Sequence, residues 1–176
     1  MFRFATLVLH ALAALAACGP VAQPESNRTV AAYEVPLPTS EDKEQFLALL
    51  AEVGEAEGYH VDAATRTELE AMSEVSPITF NASVWRGDDE ELMASAMDFQ
   101  DRIGRVWISF PRGQDPSRSN QFRETLMQRI NLDWPATASL PIMPSGTIPL
   151  TQDLVRTPSG YEVRASAASK YQQSEP

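Results

Sequence analysis

Cysteine is almost missing from this sequence: Cys18 is the only one in 176 residues, so the chain cannot close a disulfide on itself. Histidine is nearly as scarce. His10 lies in the first apolar stretch, which leaves His60 as the one imidazole beyond it. Zinc sites draw on several His and Cys ligands, and that set is not here. A Ser-His-acid triad would have to run through His60, with no Gly-x-Ser-x-Gly nucleophile motif beside it. His60 therefore reads as a structural or exposed side chain. Glycine-rich phosphate loops are absent, and "RGDD" at 86–89 is a turn with acids rather than a dinucleotide motif. Asp88-Asp89-Glu90-Glu91 lacks the spaced ligands and central Gly of a calcium loop, and suits the positive end of a helix better. No catalytic set, metal site or cofactor is expected. Basic residues are also short: 14 Lys and Arg stand against 24 Asp and Glu, a net charge of −10. Nucleic-acid affinity comes largely from cations on phosphates, so no nucleic-acid partner is expected.

The sequence does have a strongly marked beginning. "MFRFATLVLHALAALAAC" carries one early cation, Arg3, then an apolar run to Ala17. That run falls short of the ~20 residues a membrane-spanning helix needs. A basic start, an apolar centre and a small-residue end describe a secretory signal instead. Leu15-Ala16-Ala17-Cys18 resembles the lipobox of bacterial lipoproteins, with Leu at −3, small residues at −2 and −1, and Cys at +1. The resemblance covers about 18 residues. It implies that residues 1–17 are removed and that Cys18 becomes a lipid-modified N-terminus, with a diacylglycerol thioether on sulfur and an acyl chain such as palmitate on nitrogen. Two or more chains hold a protein stably at a membrane where one does not. Gly19, rather than Asp, at the second mature position is similar to cargo sent to the outer membrane. The implied location is thus the cell envelope, lipid-anchored and facing the periplasm. The lipidated chain would lose Arg3 and keep 13 cations and 24 acids, 13 − 24 = −11.

Charge is unevenly spread. Residues 40–101 hold three cations and sixteen acids, a balance of −13, whereas 102–135 hold six Arg and three acids, +3. Attraction between two parts of one fold accounts for this. An acidic surface aimed at a cationic partner would account for it too.

Residues 18–39 carry four prolines without a helical or strand period, and read as a tether of up to ~60 Å; its end, "YEVPLP", is apolar enough to dock. A single domain is expected over 40–165, with a frayed tail at 166–176. Phe46, Leu49, Leu50 and Val53 fall at helical spacing after a Thr39 or Ser40 cap, with Gly58 as terminator. A second helix is predicted over 119–132, from Phe122, Leu126, Met127 and Ile130. A shorter helical turn is predicted over 68–72. Period-two alternation predicts strands over 78–85 and 105–110. A short strand is expected at 59–62, and "DLVR-TPSG-YEVR" reads as a hairpin; residues 88–102 fit helix or strand. The sum is an α+β fold: a mainly antiparallel sheet with two principal helices packed on one face.

If the apolar sides of the two marked strands face the helices, alternation sets Asn81, Ser83, Trp85, Arg105, Trp107 and Ser109 on the opposite face. Should those strands pair, two tryptophans and an Arg would form a candidate binding face, since Trp and Arg are favoured at hot spots and Trp also stacks on sugars. The alternative is that the C-terminal hairpin covers this face and makes the tryptophans a second layer of core. The expected function is that of a membrane-anchored envelope binding module for a protein or cell-wall glycan. A hydrolase acting on envelope material, or a purely structural component, are the competing readings.

Overall fold

The computed structural model describes residues 25–87 and 90–171. Cys18 and the signal-like segment lie outside the described residues, as do Asp88 and Asp89. Eight strands and four helices follow one another as β1 (Thr29–Pro36), α1 (Ser40–Ala56), β2 (Tyr59–Ala63), α2 (Arg66–Ser73), β3 (Asn81–Arg86), β4 (Glu91–Met97), β5 (Arg105–Pro111), α3 (Pro116–Asp133), β6 (Ala138–Leu140), β7 (Leu154–Thr157), β8 (Gly160–Val163) and α4 (Ala168–Tyr171). The fold is α+β. Six strands form one antiparallel sheet in the order β2-β3-β4-β5-β1-β6, and β7 and β8 form a separate hairpin.

Local chemistry fixes the two principal helices. Thr39 caps α1 through a reciprocal box: its hydroxyl accepts from the Asp42 N–H at 3.1 Å, while the Asp42 carboxylate accepts from the Thr39 N–H at 3.0 Å. Gly58, at φ 77°, takes the left-handed turn just past the helix end. Asp115 caps α3 ahead of Pro116, accepting from the N–H groups of Ser117 and Arg118. Both helices lie on one face of the sheet. Phe46, Leu49, Leu50 and Val53 of α1 and Phe122, Leu126, Met127 and Ile130 of α3 bury against Tyr59, Val84, Ala96, Val106, Ile108 and Phe110. Edge-to-face ring pairs knit this core, Phe46 with Phe80 at 5.8 Å and Tyr59 with Phe122 at 5.2 Å.

Three expectations are corrected. The segment assigned to a tether supplies β1, an interior strand between β5 and β6, so the domain begins well before residue 40. Both faces of β1 are covered, which hides its alternation: Val35 faces the helices, Ala32 and Glu34 the other side. Glu91 begins a strand and not a helix, with Glu90 in the turn before it. Glu91 is buried, paired with Arg86 at 2.7 Å, and accepts the Gln114 N–H at 2.7 Å. Between Val84↔Ala94 and Trp85↔Leu92 the ladder slips by one residue, so Met93 and Ala94 both reach the core and break the period of β4. Finally, the expected frayed tail is docked as far as Tyr171, whose hydroxyl donates to Asp153 at 2.7 Å beside Lys170 at 2.9 Å.

Candidate functional site

The face of the sheet turned away from α1 and α3 divides into two halves. Over β5, β1 and β6 it is roofed by the C-terminal segment: Leu154 and Tyr161 of the hairpin, with Ile142, Ile148 and Val163, pack on Ala32, Trp107, Ala138 and Leu140. Gly160 makes the close approach possible. It sits at φ 136°, and a Cβ there would stand 2.7 Å from the Ser139 carbonyl oxygen. Over β3 and β4 the hairpin does not reach, and Asn81, Ser83, Trp85, Ser95 and Met97 are half-buried.

All six side chains expected on this face stand on strands β3 and β5, but they do not make one platform. Strand β4 lies between them. Ser83, Ser95 and Ser109 align across the three strands, and the next row runs Asn81, Met97, Trp107, Glu34. Trp85 and Trp107 are thus two strands and four residues apart, roughly 16 Å from strand spacings. Only Trp85 is half-exposed; Trp107 is buried against Phe99, their rings edge-to-face at 5.3 Å. The joint two-tryptophan surface is not formed, because β4, from the segment read as helix or strand, separates the pair and the hairpin covers one member. What remains is an open Asn81-Ser83-Trp85 side, bordered by α2. Asp62, Glu68 and Met72 join Asn81 and Ser83 around a groove of about 390 Å³.

Under the roofed half lies the densest polar constellation of the domain. Glu34 is 2% exposed. Its Oε1 accepts from the Tyr161 hydroxyl at 2.6 Å and from Arg105 at 2.8 Å, and its Oε2 from the Trp107 indole N–H at 3.1 Å. Arg102 and Arg156 approach the same carboxylate at 3.7 and 3.6 Å. Burial pushes the Glu34 pKa up. The hydrogen bonds from Tyr161, Trp107 and Arg105, with the charge of Arg105, outweigh it and hold the group below the usual carboxylate range. Arg105 is correspondingly pushed up, by its hydrogen bond to Glu34 and that group's charge. These residues open onto a cavity of about 570 Å³ that Arg164 also lines.

A third hollow, of about 490 Å³, lies between the end of α1 and the start of α3. Its charges pair locally, Arg86 with Glu91 and Arg118 with Asp115. His60, expected to be structural or exposed, is exposed on β2 opposite Trp85. Among the described residues no three His, Cys, Asp or Glu side chains cluster closely enough to hold a metal ion. No helix among them is long and apolar enough to cross a membrane.

No protein-family model matches this sequence, and no curated protein is detectably similar to it.

Proposed function

We propose that this chain is a lipid-anchored cell-envelope protein whose α+β domain acts as a binding module for an envelope protein or a cell-wall glycan. The anchor rests on Leu15-Ala16-Ala17-Cys18, and the outer-membrane, periplasm-facing placement on Gly19. Only residues 19–24 separate Cys18 from Glu25, where the described domain begins. Seven chain links extend to at most ~25 Å. On this reading the domain rides close to the bilayer rather than at the end of a long tether.

The observation that carries the binding reading is the half-open sheet. The C-terminal layer stops at β5, leaving Trp85 beside a row of serines on a pleated, rigid surface. A half-exposed Trp on a rigid strand is the kind of anchor favoured at binding hot spots. Two measurements test the proposal. Metabolic labelling with a palmitate analogue should mark the protein and lose its signal in Cys18→Ser, which should also leave the membrane fraction; label retained by that variant would overturn the anchor. Crosslinked capture from the native envelope should give one dominant partner that Trp85→Ala loses while unfolding at the wild-type midpoint. A partner held equally by Trp85→Ala would overturn the open face as the binding surface.

A further inference from the structure

We infer that the arginine-lined cavity at the Pro36 end of β1 is a binding site for a phosphoryl group. Donors and acceptors there do not balance. Three guanidiniums, of Arg102, Arg105 and Arg156, stand within 3.7 Å of one carboxylate, and Arg164 lines the same cavity. Four cations against Glu34 leave 4 − 1 = 3 positive charges within a chain of net charge −10. Other acids nearby compensate only in part. Asp101 stands 4.0 Å from Arg102 but is largely exposed, and Asp153, held by Lys170 and Tyr171, offsets part of the Arg164 charge at the rim.

Hydrogen bonding shows the same surplus. A carboxylate offers about four acceptor positions, and Tyr161, Trp107 and Arg105 take three of those on Glu34. The Nε of Arg102 is buried and has no hydrogen-bond acceptor among the described residues. Arg102 and Arg156 both lie over the Tyr161 ring, at 5.8 and 5.2 Å from its centre, and the Ala136 carbonyl receives one further N–H of Arg156. The guanidiniums are thus held in place by the ring and the backbone, with donor capacity to spare. A ligand carboxylate would bring two oxygens and one charge. A phosphoryl group brings three terminal oxygens and a charge of about −1.5 to −2, the better match to this excess.

The cavity's place in the fold indicates the source. Pro36 and Arg105 mark one end of the β1–β5 pair; Glu25 precedes the other end, about 25 Å away along an eight-residue strand. On the proposed anchor at Cys18, the cavity lies at the end of β1 remote from the point of attachment. The phosphoryl group then belongs to a soluble molecule and not to a headgroup of the anchoring membrane.

Calorimetric titration of the purified chain in detergent with inorganic phosphate, at low salt, tests the site. Wild type should bind, and Arg164→Gln, at the exposed rim, should bind about tenfold more weakly with an unchanged fold. Arg112→Gln, whose partner Glu25 lies at the far end of β1, should match wild type. Acetate should bind at least about tenfold more weakly than phosphate. Vesicles of phosphatidylcholine with phosphatidic acid should bind no better to wild type than to Arg164→Gln. Absence of heat with both phosphate and the vesicles, equal phosphate affinity in Arg164→Gln, or equal affinity for acetate would each overturn the phosphoryl site. Vesicle binding that Arg164→Gln loses would keep the phosphoryl chemistry and overturn the soluble source. Loss of the anchor reading through Cys18→Ser leaves the phosphate titration standing by itself, so the two failures are distinct.

Discussion

Asp98 is the residue whose removal the structure penalises most legibly. It follows β4 with no exposed surface. Oδ1 accepts from the backbone N–H groups of Thr79 at 2.7 Å and Phe80 at 2.8 Å. Oδ2 accepts from the Thr79 hydroxyl at 2.6 Å, the Gly104 N–H at 3.0 Å and the Lys43 ammonium at 3.2 Å. One carboxylate therefore joins α1, the entry to β3, the end of β4 and the turn into β5. In Asp98→Ala the Phe80 and Gly104 donors, both in buried bonds, lose their acceptor. Each costs ~1–3 kcal/mol when left unmade. The Lys43 ammonium loses its partner as well, but it retains some access to water and adds less. The sum is about 4 kcal/mol, against a typical total of ~5–15 kcal/mol for a domain.

Urea denaturation followed by fluorescence of the three tryptophans measures this. Asp98→Asn should cost about 2 kcal/mol: Oδ1 still serves two backbone donors, while the new amide donor faces Gly104 and Lys43. The pH dependence supplies an independent check. Burial raises the Asp98 pKa; hydrogen bonds from Thr79 and the Gly104 N–H, with the Lys43 charge, more than reverse this, and the folded value lies below the ordinary 3.8. A carboxyl depressed on folding contributes stability that is present above its unfolded pKa and is lost as pH falls through the folded one. Wild type should accordingly lose stability below about pH 4. Glu34 and Asp153 act in the same direction, so the difference between wild type and Asp98→Asn isolates the Asp98 share. An Asp98→Ala loss under ~1.5 kcal/mol would refute the reasoning, since it would mean that the buried donors find other acceptors.

Two further outcomes follow from packing and exposure. Gly160→Ala should cost ~2–3 kcal/mol in the same assay, because a Cβ at φ 136° meets the Ser139 backbone; a near-neutral effect would mean that the hairpin can lift off β6 freely. Glu52→Gln breaks the pair with Arg129 at 2.9 Å, yet both side chains are largely solvated, so the urea midpoint should not move measurably, in low salt or high.

What could be read from the sequence follows from where each element's burial shows. The helices α1 and α3 bury one stripe each, and β3 and β5 alternate, so periodicity exposes them. The Pro-Ser-Gly turn of the C-terminal hairpin was also legible, with Gly160 at positive φ. Strand β1 was not, since both its faces are covered and prolines flank its end. Strand β4 was not, since its bulge puts adjacent residues into the same core. These two omissions decided the fate of the candidate face. With residues 88–102 left as helix or strand, pairing of the two marked strands stayed open and with it a joint Trp85–Trp107 face, and without β1 nothing placed Glu34 beneath Trp107. The arginine cavity had no local signature at all. Glu34 and Tyr161 meet across 127 positions, and the single hint was an acid inside the apolar run "VAAYEVPL".

The same two strands change the meaning of the charge asymmetry. The acidic residues of 40–101 and the arginines of 102–135 were expected to attract each other within the fold or to serve a cationic partner. Arg129 does reach Glu52 in the acidic part. But Arg112 turns to Glu25 and Arg102 and Arg105 turn to Glu34, acids that precede residue 40. The N-terminal strand and the segment before it thus draw off cations that would otherwise neutralise the acidic part, and the acids of α1 and α2 stay in solvent, Glu41, Glu55, Glu68 and Glu70 among them. The domain is left with solvated acids along α1 on one face of the sheet and along α2 beside the open half of the other, and with a positive recess at the roofed half. Such a separation repels anionic lipid from most of the surface while admitting a single anion at one place. On the proposed reading, that arrangement suits a lipid-anchored domain that takes a phosphoryl ligand from solution.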